Sequence, residues 1–192
     1  MNIQKIIDYI DGIKPNPYTE EDKVMWLNEV EGVIQTDVLL RGPADIVTYF
    51  YRSLWEGEGI VFADDATLIL PDPAEVHKGG RVTLSGLTVA LGNELIEAVV
   101  EAVEEGGRVL KFAPGTFSKV GVTETAEAML EFDGSNTELL AEAPFQKLYY
   151  TYLMAMIDLV NGDYSKYQNA MTLFNSHLTC YSRWKANSRS ES

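Results

Sequence analysis

Cysteine is almost missing from this chain: Cys180 is the single thiol in 192 residues. No internal disulfide can form, so stability has to come from packing. Its place one position before an apolar residue of a helical pattern predicts a packed thiol, as expected in a reducing cytoplasm. Positive charge is also scarce, with fifteen Lys and Arg against twenty-nine Asp and Glu and a formal charge of -14. Such a balance repels phosphate backbones wherever it is evenly spread, which argues against sequence-specific nucleic-acid binding. No run of eighteen apolar residues occurs, and Met1-Asn-Ile-Gln-Lys lacks a basic segment followed by an apolar core. The expectation is a chain that is neither membrane-spanning nor secreted.

Catalytic and metal-binding patterns are missing too. His77 stands in a polar turn and His177 in the last helix, each without a Cys or second His at ligand spacing. Asp64-Asp65 and Glu56-Gly-Glu58 offer too few converging oxygens for a calcium site. Gly57-Glu-Gly59 lacks the third glycine and following helix of a dinucleotide fingerprint. Ser85-Gly and Gly115-Thr-Phe-Ser118 lack the surroundings of a nucleophile elbow. A protein without enzymatic activity, cofactor or metal is therefore expected.

What the chain does have is a dense aromatic and methionine pattern in residues 144–184. Phe145, Tyr149, Tyr152, Met156 and Leu159 recur at spacings of four and three, as do Tyr164, Tyr167, Met171, Phe174, Leu178 and Tyr181. Between them Asn161-Gly-Asp163 supplies a C-cap glycine and an N-cap aspartate, so the two stripes predict an antiparallel helical hairpin. Leu148, Tyr150, Leu153, Met154 and Ile157 make the first of these helices apolar nearly all round. A helix of that kind is central in its fold or covered by a partner.

At the other end, Ile3, Ile6, Ile7, Ile10 and Ile13 predict an amphipathic helix stopping before Pro15. Thr19 followed by Asp22 resembles a capping box, and Val24, Leu27, Val30, Ile34 and Val38 carry a second helix to about Leu40. Glu29, Glu31 and Asp37 are read as its solvated side. Residues 45–51, with Ile46, Val47, Phe50 and Tyr51, favour a strand by their β-branched and aromatic content. From 52 to 135 the pattern becomes β-rich. Gly59-Ile-Val-Phe and Thr67-Leu-Ile-Leu predict a hairpin, and strands are expected at Arg81-Val-Thr-Leu-Ser-Gly-Leu-Thr-Val, Arg108-Val-Leu-Lys-Phe and Ala128-Met-Leu-Glu-Phe. In 94–105, Leu95, Ile96, Val99, Val100 and Val103 keep helical spacing, so the residues alone predict a helix. This middle segment holds fifteen acids and six bases.

Trp26-Leu-Asn-Glu-Val-Glu-Gly-Val-Ile-Gln, Thr137-Glu-Leu-Leu-Ala-Glu-Ala-Pro-Phe-Gln-Lys-Leu-Tyr, Tyr152-Leu-Met-Ala-Met-Ile-Asp, Asn161-Gly-Asp-Tyr, Tyr167-Gln-Asn and Leu173-Phe-Asn occur in that order. Together they resemble head–tail connector, or head-completion, proteins of long-tailed phages and prophages of Gram-positive hosts. The likeness covers residues 2–51 and 136–186, with about eighty residues inserted where shorter relatives run straight on. Val82-Thr-Leu-Ser-Gly-Leu-Thr, Asn93 and Gly107-Arg-Val-Leu-Lys-Phe-Ala-Pro-Gly-Thr-Phe resemble a small β module of phage structural proteins. That second likeness favours a strand around 98–103 over the helix.

The resemblance implies an α+β fold: a small antiparallel helical bundle of about four helices (1–51 and 136–186), interrupted by a β-rich insertion domain (52–135) and ending in a flexible tail (187–192). It further implies a virion neck protein, made in the host cytoplasm, that forms a ring on the portal protein and docks a neck or tail-completion protein. Tyr149, Tyr152, Met156, Asp158, Asn161, Tyr164, Tyr167, Asn169, Phe174 and Trp184 are the expected packing and interface positions. The alternative is an accessory binding module whose β insert recognises a host surface, glycan or other ligand.

Overall fold

The computed structural model describes residues 1–86, 95–118, 120 and 128–190. The fold is α+β and divides into two compact units, Met1–Thr48 with Glu138–Ser192, and Tyr49–Thr137.

The first unit holds α1 (Ile3–Ile13), α2 (Glu20–Val33), α3 (Lys147–Val160) and α4 (Tyr164–Ser190). Asn2 caps α1, its side chain accepting the Lys5 N–H. Thr19 and Asp22 complete the reciprocal capping box of α2. Beyond Val33 the helix widens into a π-helical turn, Ile34–Val38. The last helix continues to Ser190, through part of the segment expected to be a flexible tail. The apolar circumference of α3 has its explanation here, because α1, α2 and α4 all pack on it. Leu148, Tyr149, Leu153 and Ile157 are fully buried, each worth roughly 1.5–3 kcal/mol in transfer from water.

Residues 46–50 form no strand. The amide of Gln35 takes the place of a neighbouring strand: Val47 N–H donates to its Oε1 (2.6 Å) and its Nε2 donates to the Val47 carbonyl (2.9 Å). With both backbone groups of Val47 satisfied by one buried side chain, a ladder partner is unnecessary.

The second unit contains β1 (Arg52–Gly57), β2 (Val61–Phe62), β3 (Thr67–Ile69), β4 (Arg81–Ser85), β5 (Ile96–Val99), β6 (Ala102–Glu104), β7 (Val109–Lys111) and β8 (Ala128–Asp133). They pair antiparallel in two sheets, ordered β1-β8-β4-β5 and β2-β3-β7-β6. Phe62, Leu68 and Leu110 from one sheet and Val82, Leu84, Leu130 and Phe132 from the other share a single core. The expected hairpin forms, with Val61 opposite Ile69 and Phe62 opposite Leu68. Residues 87–89 of the expected strand after Arg81, and Asn93, lie outside the described residues.

The helical spacing of 94–105 is misleading. Ile96, Ala98 and Val100 point inward with the period of a strand, and the chain then passes from one sheet to the other, where Val103 becomes the inward residue. Two steps of two followed by a step of three place Ile96, Val100 and Val103 at spacings of four and three, which imitate a helical repeat. Leu95 and Val99, which completed the helical stripe, are exposed.

Candidate assembly interface

The hairpin expected from the aromatic spacing is formed by α3 and α4, joined at Gly162 in the left-handed region (φ 78°). The Asp163 carbonyl accepts the Tyr167 N–H at 3.0 Å as α4 begins. Tyr152 and Phe174 meet across the hairpin with ring centroids 5.0 Å apart. Phe174 is buried and Tyr152 half-buried, with its hydroxyl donating to the Glu29 carboxylate of α2. Burial first, then the Glu29 contact, pushes the Tyr152 phenol well above its usual range.

Tyr149 is fastened by groups outside the hairpin. Its hydroxyl accepts the Ala141 N–H at 2.7 Å and donates to the Glu31 carboxylate, which also accepts the Leu140 N–H. Glu31 is wholly inaccessible, although it was expected on the solvated side of α2. The signal was present in the sequence, since Glu31 lies four residues after Leu27 and three before Ile34, on the same helical face. Burial, followed by the negative charge of Glu31, holds the Tyr149 phenol far above the ordinary value.

At the turn end of the hairpin, buried Asp158 pairs with Lys14. Its carbonyl accepts the Asp163 N–H at 2.8 Å. Asn161 accepts the Tyr18 hydroxyl at 2.8 Å, and its own N–H reaches the Ile157 carbonyl. Met156 and Tyr167 are half-buried, and Asn169 is exposed. Tyr164 does not pack into the hairpin as expected. It is 65% exposed, since it opens α4 at the turn, past the end of α3.

At the opposite end, Trp184 lies 5.1 Å from Phe145 and stacks on Tyr181 at 6.2 Å. The Lys185 ammonium sits over Trp184 and bonds Glu142 at 2.6 Å. Desolvation opposes the charge of Glu142, but hydrogen bonds from Lys185 and Tyr181 outweigh it and keep the carboxyl below its normal value. Cys180 is exposed rather than packed. One residue is a turn of about 100° on a helix, so Tyr181 faces inward while its neighbour does not.

In the second unit His77 is buried instead of standing in a polar turn. Its ring lies 4.7 Å from Phe132 and 5.1 Å from Tyr49. Nε2 is 3.0 Å from the Phe50 carbonyl, and the Thr137 hydroxyl reaches Nδ1 at 3.4 Å. Nδ1 also faces the Lys78 carbonyl at 3.1 Å, so each ring nitrogen meets a backbone carbonyl; burial lowers the pKa, and these two contacts offset part of that. Asp64 and Asp65 serve as loop fasteners: Asp64 accepts Ala66 N–H and the Thr67 hydroxyl, and Asp65 accepts Gly115 N–H.

No family model and no curated protein matches this chain. Among the described residues, no group of three or more potential metal ligands converges, and no helix is long and apolar enough to cross a membrane. The arrangement consists of aromatic packing, carboxylates anchoring backbone and hydroxyl groups, and exposed helix faces.

Proposed function

We propose that this protein is a non-enzymatic structural subunit of a phage or prophage virion, a head–tail connector that assembles as a ring on the portal and joins the DNA-filled head to the tail. In this reading a helical connector core is interrupted by a β-rich insertion. The observation that supports it most is that the two distant stretches carrying the resemblance fall together in one helical unit, Met1–Thr48 with Glu138–Ser192. The β segment between them forms a compact unit with its own core. An acidic chain also suits a channel through which DNA slides without adhering.

The test is electron microscopy of lysates from the phage or induced prophage with the encoding gene deleted, complementation serving as control. Heads accumulating beside free, complete tails are expected. Normally joined particles would sink the proposal. That result would favour the second reading, an accessory binding module, for which the outer face of the β1-β8-β4-β5 sheet offers an open depression of about 700 Å³ lined by Arg52, Arg81, Thr83, Glu97 and Asp133.

A further inference from the structure

The 27 residues of α4 contain no Asp or Glu, whereas a stretch of that length at the chain's average would hold about four. Its exposed positions from Gln168 to Thr179 are instead mostly hydrogen-bonding and uncharged, among them Gln168, Asn169, Thr172, Asn175 and Thr179, and exposed Arg183 adds a positive charge one turn further on. Leu173, at 53% exposure, adds an apolar point on the same helix. The exposed side of α2 is the opposite in character. It carries Glu20, Glu21 and Glu29 with Met25, 56% exposed, among them. Both helices pack on α3 and not side by side along their length. One helical unit thus presents an acidic helix face and an acid-free helix, the latter bordered by Asp37 beside Thr179 and Arg183.

We infer that the exposed face of α4 docks on the acidic face of α2 in a second copy of this chain. Amide and hydroxyl groups on α4 can donate to the carboxylates of α2, and Leu173 and Met25 supply apolar contact. In a chain of net charge -14, most apposed surfaces would bring carboxylates together. An acid-free helix avoids that repulsion. Duplex nucleic acid fits the same face less well: Lys166 is paired with Asp163 and Lys185 with Glu142, and the other bases of the helix, Arg183 and Arg189, stand against a chain charge of -14. The two contacting faces differ, so the association is heterologous and repeats from copy to copy, as rings and filaments do. Closure into a ring rests on the connector reading; the pairing itself does not.

The experiment uses the full chain carrying Met25→Cys, with native Cys180 on α4 as its partner thiol, oxidised mildly in low salt. Dimers and longer ladders are expected on non-reducing gels, beyond those of the parent protein, and sedimentation of the unmodified chain should show association that weakens with salt. Adding Thr172→Glu and Thr179→Glu should weaken association by roughly fivefold or more, and Glu21→Lys should restore part of it. Circular dichroism is the control that these exposed changes leave the fold intact. Association unaffected by the two glutamates, or neither ladder nor association in low salt, would overturn the inference. Retardation of duplex DNA that the glutamates abolish, with no ladder, would overturn it in favour of a nucleic-acid surface. Joined particles in the gene-deletion test would remove the neck reading and leave a charge-dependent ladder standing.

Discussion

The phenol of Tyr149 on α3 donates to the carboxylate of Glu31 on α2, and both side chains are fully withdrawn from solvent. The same hydroxyl accepts the Ala141 N–H, so one oxygen fastens two helices and the segment leading into α3. Tyr149→Phe leaves the ring's packing but takes one hydrogen bond from a buried carboxylate, which keeps the Leu140 N–H, and removes the acceptor of the Ala141 N–H. A loss of about 2–3 kcal/mol is expected in urea denaturation. Tyr152→Phe, which removes a half-buried hydroxyl from Glu29 on the same helix, should cost less than about 1 kcal/mol. Equal losses for the two would contradict the burial difference.

Phe174 and Tyr164 occupy similar places in the sequence pattern and different places in the fold. Phe174→Ala empties a buried site against Tyr152 and should destabilise the protein by about 3–5 kcal/mol. Tyr164→Ala touches a residue 65% exposed and should stay within about 0.5 kcal/mol of the parent. Thermal unfolding of the two variants beside the parent measures the contrast directly.

His77 gives the β unit a pH dependence. Its folded pKa lies below the ordinary 6.5 because burial disfavours the imidazolium. The unfolded chain therefore binds the proton more readily, and stability rises with pH through this range. The contribution is complete above the unfolded pKa and declines as pH falls from there toward the folded value. Protection of the β8 amides, measured relative to intrinsic exchange at each pH, should fall between pH 7 and 5.5, and His77→Gln should flatten that response.

Gly106 and Gly107 both have positive φ, at 66° and 103°. A Cβ at Gly107 would strike the backbone carbonyl of Ala74, whereas at Gly106 it would meet open space. Gly106→Ala should cost about 1 kcal/mol of backbone strain, and Gly107→Ala more than about 3 kcal/mol, since backbone must move. Denaturation midpoints followed by far-ultraviolet circular dichroism test the order.

Local patterns legible along the chain were those in which neighbours decide the outcome. The capping box of Thr19 and Asp22, the isoleucine stripe of α1 and the Asn161-Gly-Asp turn depend on contacts within a few residues. The hairpin followed from two stripes joined by that turn, and Tyr152 facing Phe174 belongs to it. Positions at its ends were harder to read: Tyr164 keeps the spacing but has no facing helix, and Cys180 is turned aside from the packed Tyr181.

Sequence alone determined the coarse α+β class, the starts of α1 and α2 and the strands β2, β3, β4, β7 and β8, because hydrophobic period and capping act locally. Tertiary structure decided that Gln35 would hold Val47 out of a strand, that Glu31 would be buried beneath Tyr149, that His77 would sit among aromatic rings, and that 96–104 would divide between two sheets. Each of these depends on a partner distant in the chain. A local pattern can mark a face as apolar or polar, but only the folded chain brings the partner that satisfies it.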